Sequence, residues 1–362
     1  MFSAYFLKYR NMILCSIFFF YFGCGITLSL LKIDCDSVAK AMETSANSEY
    51  SKVEYVVLIL SAPENVQERS TIRGTWINFA ANMFTENGVR LYKWNHTGAT
   101  RALPPEFIKF YFAIGVKGFD MERLLKLTSE NARNNDLLLL DDLEDHYLTL
   151  SDKTVQSMKW LSENMKQLKY VIKCDDDSFV RVDLIVRELE AFAPDMNTPK
   201  IREFISYKKA LLVYKGLYWG YFNGKAKIFL SGKWQESEWF LCDNYLPYAL
   251  GGGYVVSRSI VDFVARNADI LSKYKSEDVS MGVWTAPLDG INRVHDTRFD
   301  TQWRSRGCEN NMLIRHKQTP TDMLKMYKNL VQSKGERLCT NVTMERKAYV
   351  YNWDVLPSAC CK

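Results

Sequence analysis

The tightest constraint on the fold comes from three short, almost wholly apolar runs: Tyr55–Leu60, Leu137–Leu140 and residues 170–174. A run without polar alternation reads as a strand buried on both faces, as in a sheet with helices on either side. Between the runs, the spacing of Met121, Leu124, Leu125 and Thr128 predicts one helix. Val155, Met158, Leu161, Met165 and Leu168 predict a second. Strands alternating with helices predict an α/β domain on a mostly parallel sheet. The chain has 362 residues, ample for one large core, and no Pro/Gly-rich linker or internal repeat divides its body. One domain is expected over residues 53–362.

The beginning of the chain follows different rules. Residues 12–31 carry no formal charge and are dominated by Ile, Leu and Phe. As a helix they would rise about 30 Å, the thickness of a bilayer core. Lys8 and Arg10 precede the segment, with no acidic residue, so residues 1–11 are expected in the cytosol and the rest in a lumen. The alternative, a cleaved signal peptide, needs a shorter apolar core and a small-residue cleavage site that residues 28–33 do not offer. The polar residues 32–52 read as a stem. Asn95-His96-Thr97 and Asn341-Val342-Thr343 are N-glycosylation sequons. Of nine cysteines, Cys15 and Cys24 lie in the span. Seven are left for an oxidising compartment: Cys35, Cys174, Cys242, Cys308, Cys339, Cys360 and Cys361. Seven is odd, and Cys174, inside an apolar run, is the expected free thiol. The net charge of +5 is spread without a basic block, which argues against a nucleic-acid partner.

Three segments could carry chemistry. Asp175, Asp176 and Asp177 follow directly on the run 170–174, where ligands bind beyond strand ends in open α/β sheets. Adjacent carboxylates repel unless a cation lies between them, and hard divalent cations held by few carboxylates suit a diphosphate substrate. The same residues could also be an acidic turn before a helix near Val182 or Asp183. Gly251, Gly252 and Gly253 permit close approach of a ligand or positive φ, or form a tight turn into a strand over 254–256. Glu277 and Asp278 could cap a helix or supply a base. Histidine is scarce: His96, His146, His295 and His316. His316 follows an apolar run and could reach a metal.

Arg69-Ser70-Thr71-Ile72-Arg73-Gly74-Thr75-Trp76 resembles the R-x-x-I-R-x-T-W motif of the β-1,3-glycosyltransferases, glycosyltransferase family 31. Asp142-Leu143-Glu144-Asp145-His146-Tyr147 with Leu150, Lys153 and Thr154 resembles that family's D-x-x-D-x-Y-x-x-L-x-x-K-T motif. The Asp triplet, the Gly triplet and Glu277-Asp278-Val279 follow in family order. The segments around Cys242 to Tyr254 and His295 to Cys308 are similar to the members that add galactose to galactosyl-β-1,4-xylose in the proteoglycan linker. Cys174 and Thr149 depart from the residues many relatives carry.

The resemblance implies a GT-A fold, a nucleotide-sugar transferase domain behind a transmembrane signal anchor, in the Golgi membrane with its catalytic domain lumenal. It implies inverting transfer from UDP-galactose with Mn²⁺ or Mg²⁺, to a glycan acceptor on a proteoglycan core protein. By the same resemblance Asp278 is the base, Asp177 the main metal ligand, Asp175 a second ligand nearer the ribose, and His316 the third. Asp176 belongs to the donor site, and the three glycines shape the galactose pocket. Arg69 and Arg73 contact the donor or buttress its loop, against a plain ion-pair role holding the first helix. Cys308 and Cys339 are expected to pair. Transfer of N-acetylglucosamine, or galactose transfer to another acceptor, would use the same residues. A non-catalytic lectin or chaperone would be expected to lose the acidic triplet or the base, and both are intact.

Overall fold

The computed structural model describes residues 20–21, 50–86, 105–192 and 216–361. The chain divides into a unit Met1–Glu49 and a unit Tyr50–Lys362. In the first, Phe20 and Tyr21 are helical. The rest of the expected span over 12–31, nearly all of the stem, Cys35 and the Asn95 sequon lie outside the described residues. No helix among the described residues is long and apolar enough to cross a membrane.

The second unit runs in the order β1 (Tyr55–Leu60), α1 (Val66–Ile72), a π-helical turn Arg73–Ile77, α2 (Asn78–Glu86), β2 (Ile108–Gly115), α3 (Met121–Asn134) and β3 (Leu137–Leu140). Next come α4 (Leu150–Asn164), β4 (Tyr170–Asp175), β5 (Phe179–Val180), α5 (Val182–Phe192), β6 (Gly216–Asn223), β7 (Tyr248–Ser257), α6 (Arg258–Arg266) and α7 (Glu277–Thr285). The chain continues through β8 (Ile291–His295), β9 (Phe299–Asp300), β10 (Gly307–Cys308), β11 (Ile314–Arg315), α8 (Pro320–Gln332) and β12 (Thr343–Met344).

The main sheet has the order β3-β2-β1-β4-β7-β6-β8. β1 is parallel to β2 and β4, β2 to β3, and β6 to β8, while β7 is antiparallel to both β4 and β6. The result is the mostly parallel sheet expected from the apolar runs. β1 shows why its sequence is apolar throughout. Tyr55, Val57 and Ile59 enter one core with Trp76, Ile185 and Met326, while Val56, Leu58 and Leu60 enter the other with Met158, Leu161 and Val261. A polar residue on either face of β1 would be stranded without water.

The structure adds detail to two expectations. The helix over 121–134 forms, but Met121 is 71% and Leu125 58% exposed, while Leu127 and Glu130 are buried. Leu124 and Leu127 face the core, and the Glu130 carboxylate on the same side binds Arg69 and Arg73. The glycine triplet lies within strand β7 rather than in a turn before it, and none of its glycines has positive φ.

Cys308 and Cys339 form a disulfide, a closure whose loop entropy stabilises by roughly 3–4 kcal/mol. Cys360 and Cys361 form another. Cys174 is free and buried, as expected, and Cys242 is free and exposed. Asn341 is exposed.

Candidate active site

The site is assembled by strand register. β4 pairs antiparallel with β7 so that Cys174 stands opposite Gly253. The Asp triplet at the end of β4 therefore meets the glycines of β7. A small sheet, β5-β11-β9, completes the frame. Ile314 pairs with Val180 and Arg315 with Phe179, and His316 N donates to Asp300 O at 3.0 Å. Gln318 N donates to Asp177 O at 2.8 Å. These bonds carry His316, far away in sequence, onto the triplet.

One donor atom each from Asp175, Asp177 and His316 lie within 4.8 Å of one another. His316 Nε2 is 3.0 Å from Asp177 Oδ1 and 3.4 Å from Asp175 Oδ2. The outer oxygens are held by lysines: Lys173 Nζ is 2.8 Å from Asp175 Oδ1, and Lys317 Nζ is 2.8 Å from Asp177 Oδ2. His316 Nδ1 is buried without a partner, and Nε2 and Asp177 Oδ1, also buried, meet only as an ion pair outside hydrogen-bonding geometry. Buried polar atoms of this kind ask for an occupant. Two carboxylates and an imidazole are a donor set suited to a divalent cation, so the group could bind a metal. Burial works against a charged His316, but the two carboxylates outweigh it and carry its pKa up to about 9. Burial likewise opposes ionisation of Asp177, and His316 and Lys317 overcome it, holding its pKa below the usual carboxylate range.

The glycines make room. A Cβ on Gly252 would stand 2.5 Å from His316 Cγ, and one on Gly253 2.6 Å from Ile314 Cδ1. One on Gly251 would press Glu277 Oε1 at 3.1 Å and Asp278 Oδ2 at 3.2 Å. Close approach, not backbone freedom, is their function. Gly252→Ala is therefore expected to displace His316 and lower Mn²⁺ affinity by about tenfold or more, the loss typical of a disturbed ligand shell. Isothermal titration with Mn²⁺ checks this, and unchanged affinity would remove His316 from the metal group.

Behind the metal group is a charge network that the sequence reading missed. Lys173 is fully buried. Its ammonium binds Asp175, Gly251 O and Glu277, and Tyr254 Oη donates to Glu277 Oε2 at 2.9 Å. Burial raises Glu277 to about 7 even though Lys173 pulls the other way. Asp278, the next residue, points elsewhere. Its Oδ2 accepts from Gly251 N at 2.8 Å and its Oδ1 from Val279 N at 2.9 Å. Burial raises its pKa, with Lys173 and the two amides opposing. The N-cap of α7 is Ser276, so Asp278 is not the capping residue. The signal for Lys173 was in plain view: one lysine inside an otherwise apolar strand cannot be buried without carboxylate partners.

A cleft of about 460 Å³ joins these groups. Asp175, His316, Gly251, Gly252, Glu277 and Asp278 are among its lining residues. Its lining is also aromatic: Trp234 packs edge-on against Trp303 at 5.0 Å and tilted against Phe229 at 5.6 Å, and Lys233 Nζ lies 4.2 Å above Tyr147. This wall comes from loops without periodicity, and no expectation named it.

Asp176, Arg69 and Arg73 are not brought into the cleft. Asp176 Oδ2 accepts from Asn65 Nδ2 at 2.8 Å, facing the loop 61–65. Arg69 is fully buried, pairs twice with Glu130 at 2.8 Å, and donates to Ala62 O and Pro63 O of that loop. Arg73 binds Glu130 and Asp136. Arg69 thus ties Glu130 to the loop 61–65, and Arg73 is an ion-pair partner of Glu130 and Asp136. Lys153 acts alike, reaching Asp145 and Ser61 O.

The galactosyltransferase family model matches residues 67–297, and the chain belongs to that family. β-1,3-Galactosyltransferase 6 of Mus musculus is 37% identical over 339 residues, covering 94% of this chain and 92% of the mouse protein. UDP-GalNAc:β-1,3-N-acetylgalactosaminyltransferase 2 of Danio rerio is 33% identical over 47% of this chain and 30% of its own length. A solved galactosyltransferase, LgtC with donor and acceptor sugar analogues, aligns over 68% of this chain and 74% of its own at 13% identity and TM-score 0.27. That structural likeness is too low to add to the family match. The family match and the site together define a glycosyltransferase with a GT-A-like fold.

Proposed function

We propose that the chain transfers galactose from UDP-galactose, with inversion, to the 3-hydroxyl of the galactose in galactosyl-β-1,4-xylose on proteoglycan core proteins. The observation that carries the chemistry is the division of labour between two adjacent carboxylates. Both line the cleft, but Glu277 is buried and committed to Lys173 and Tyr254, whereas Asp278 is half-buried and held only by two backbone amides. A carboxylate so fixed can take the proton of an attacking hydroxyl. Its neighbours set its orientation before the acceptor arrives, so little reorganisation is left for the reaction itself. When bound by Asp175, Asp177 and His316, a divalent cation, Mn²⁺ in this reading, supplies charge to offset the diphosphate of the leaving UDP. The cleft wall of Trp234 and Trp303 offers flat apolar faces to acceptor sugar rings.

Support for galactose and for the β-1,3 linkage comes from the family and from the name of the mouse relative. Support for the acceptor comes from the resemblance of the segments around Cys242 to Tyr254 and His295 to Cys308. The test is the purified chain with UDP-galactose, Mn²⁺ and galactosyl-β-1,4-xyloside, with the product linkage determined. A β-1,3-linked digalactosyl product is expected. Release of UDP only with another donor or acceptor would redirect the reading within the family, and no release with any donor would favour a lectin or chaperone.

The lumenal face of the Golgi membrane is the proposed location, with one anchoring helix over 12–31. The protein is expected to resist alkaline carbonate extraction and to carry a glycan on Asn95 or Asn341. A soluble form beginning near residue 35 would indicate cleavage instead.

A further inference from the structure

We propose that Lys317 is a donor-binding cation that alternates between two anions: Asp177 in the free protein, and the diphosphate oxygens when a nucleotide sugar is bound. The inference rests on the nucleotide-sugar reading above and adds to it a residue and a trade-off.

The first observation is backbone shape. Lys317 has φ +58, in the left-handed region that side chains with a Cβ seldom adopt. Among the described residues Asn135 and Lys334 share this feature, but both belong to turns that end helices. Lys317 instead follows strand β11 and is pinned on both sides. His316 N binds Asp300 O, Gln318 N binds Asp177 O at 2.8 Å, and Gln318 Nε2 binds His316 O at 2.7 Å. These bonds drive His316 inward and Lys317 outward along the cleft. A position whose only task was this turn would favour glycine or asparagine. A lysine there points to a use for its charge.

The second observation is freedom. Lys173, which also contacts the acidic group, is fully buried and held by Asp175, Gly251 O and Glu277, so it cannot follow a ligand. The Lys317 side chain is 41% exposed, has Asp177 as its ionic partner at 2.8 Å, and lies 5.3 Å from the Trp303 ring centroid. It lines the cleft beside His316. A partly exposed ammonium that lines the cleft beside an acidic group is the natural counter-charge for an entering diphosphate, which carries more negative charge than the single carboxylate it replaces.

Opposite consequences follow for two ligands. While Lys317 sits on Asp177 it repels a divalent cation, so its removal should strengthen binding of the cation alone. The same removal should weaken binding of UDP. The test uses the full-length chain and its Lys317→Ala, Lys317→Arg and Lys317→Gly variants. Isothermal titration measures Mn²⁺ alone, then UDP at saturating Mn²⁺. Lys317→Ala is expected to bind Mn²⁺ several-fold more tightly and UDP about tenfold more weakly, the worth of one charge-assisted contact. Lys317→Arg should keep UDP affinity within about threefold, given a retained charge. Lys317→Gly should match Lys317→Ala for UDP while melting no lower than the unaltered chain, because it relieves the turn. Unchanged UDP affinity in Lys317→Ala, or recovery of UDP affinity in Lys317→Gly, would overturn the inference and leave only a turn residue. Failure of the unaltered chain to bind UDP with Mn²⁺ would overturn the donor reading itself, and this inference with it.

Discussion

Asp278→Asn is expected to lower kcat at least about a hundredfold, the low end for loss of a general base, while UDP affinity stays nearly unchanged. The substitution keeps size and shape. An amide oxygen can still accept from Gly251 N, and only the contact with Val279 N in the first turn of α7 is given up. Because Ser276 is the N-cap, little helix stability is at stake, and thermal unfolding should move by only a few degrees. The pH profile adds a second signature. Burial raises the pKa of Asp278, and a base must be unprotonated to act. Turnover should therefore fall, as pH decreases, at a higher pH than for an ordinary exposed aspartate, and this acid limb should vanish in Asp278→Asn. Single-turnover rates on galactosyl-xyloside across pH check both points. Near-normal turnover of the variant would move the base elsewhere, with Glu277 next in line despite its commitment to Lys173. Loss of UDP binding would instead make Asp278 a donor-site or folding residue.

How much of this was legible beforehand depended on whether the information was local. β1 and β4 could be read because burial on both faces leaves an apolar string, unbroken in β1 and interrupted only by Lys173 in β4, and α4 because Val155, Met158 and Leu161 all face one core. The position of the Asp triplet at the end of β4 followed from the same string. The direction of β7 could not be read, since an antiparallel strand buried in a parallel sheet has the same composition as its neighbours. The small sheet was also invisible: pairings two residues long have no periodicity, yet they deliver His316. α3 was legible as a helix, but not the face it buries, because the partners of Glu130 lie far away in sequence. Arg69 and Arg73 show the same limit from the other side. Their motif marks them as important, but whether a guanidinium meets a ligand or a buried glutamate depends on residues about 60 positions away, which only the fold brings close.

Asp177→Ala is expected to abolish measurable transfer, a larger effect than for any other residue of the metal group. Asp177 has two jobs that no neighbour can take over. One oxygen faces His316 at 3.0 Å and the other holds Lys317 at 2.8 Å, so a single side chain organises both the cation group and the flexible ammonium. Its backbone carbonyl, which accepts from Gln318 N, survives the substitution and should keep the loop in place. The variant should therefore fold. Removing this carboxylate eases repulsion with Asp175 but also takes away the partner of His316 and Lys317, so a modest loss of stability is expected at a half-exposed side chain. What goes is the counter-charge for the diphosphate, and UDP binding should weaken in parallel with Mn²⁺ binding. Asp176→Asn is the matched control. Asp176 faces Asn65 rather than His316, so Mn²⁺ affinity should hold within about threefold, as for a residue outside the ligand set. The unaltered enzyme with excess EDTA should copy Asp177→Ala and recover when Mn²⁺ is restored, which separates loss of the cation from damage to the fold. Full activity in Asp177→Ala, or in the unaltered enzyme under EDTA, would refute the metal role of this site.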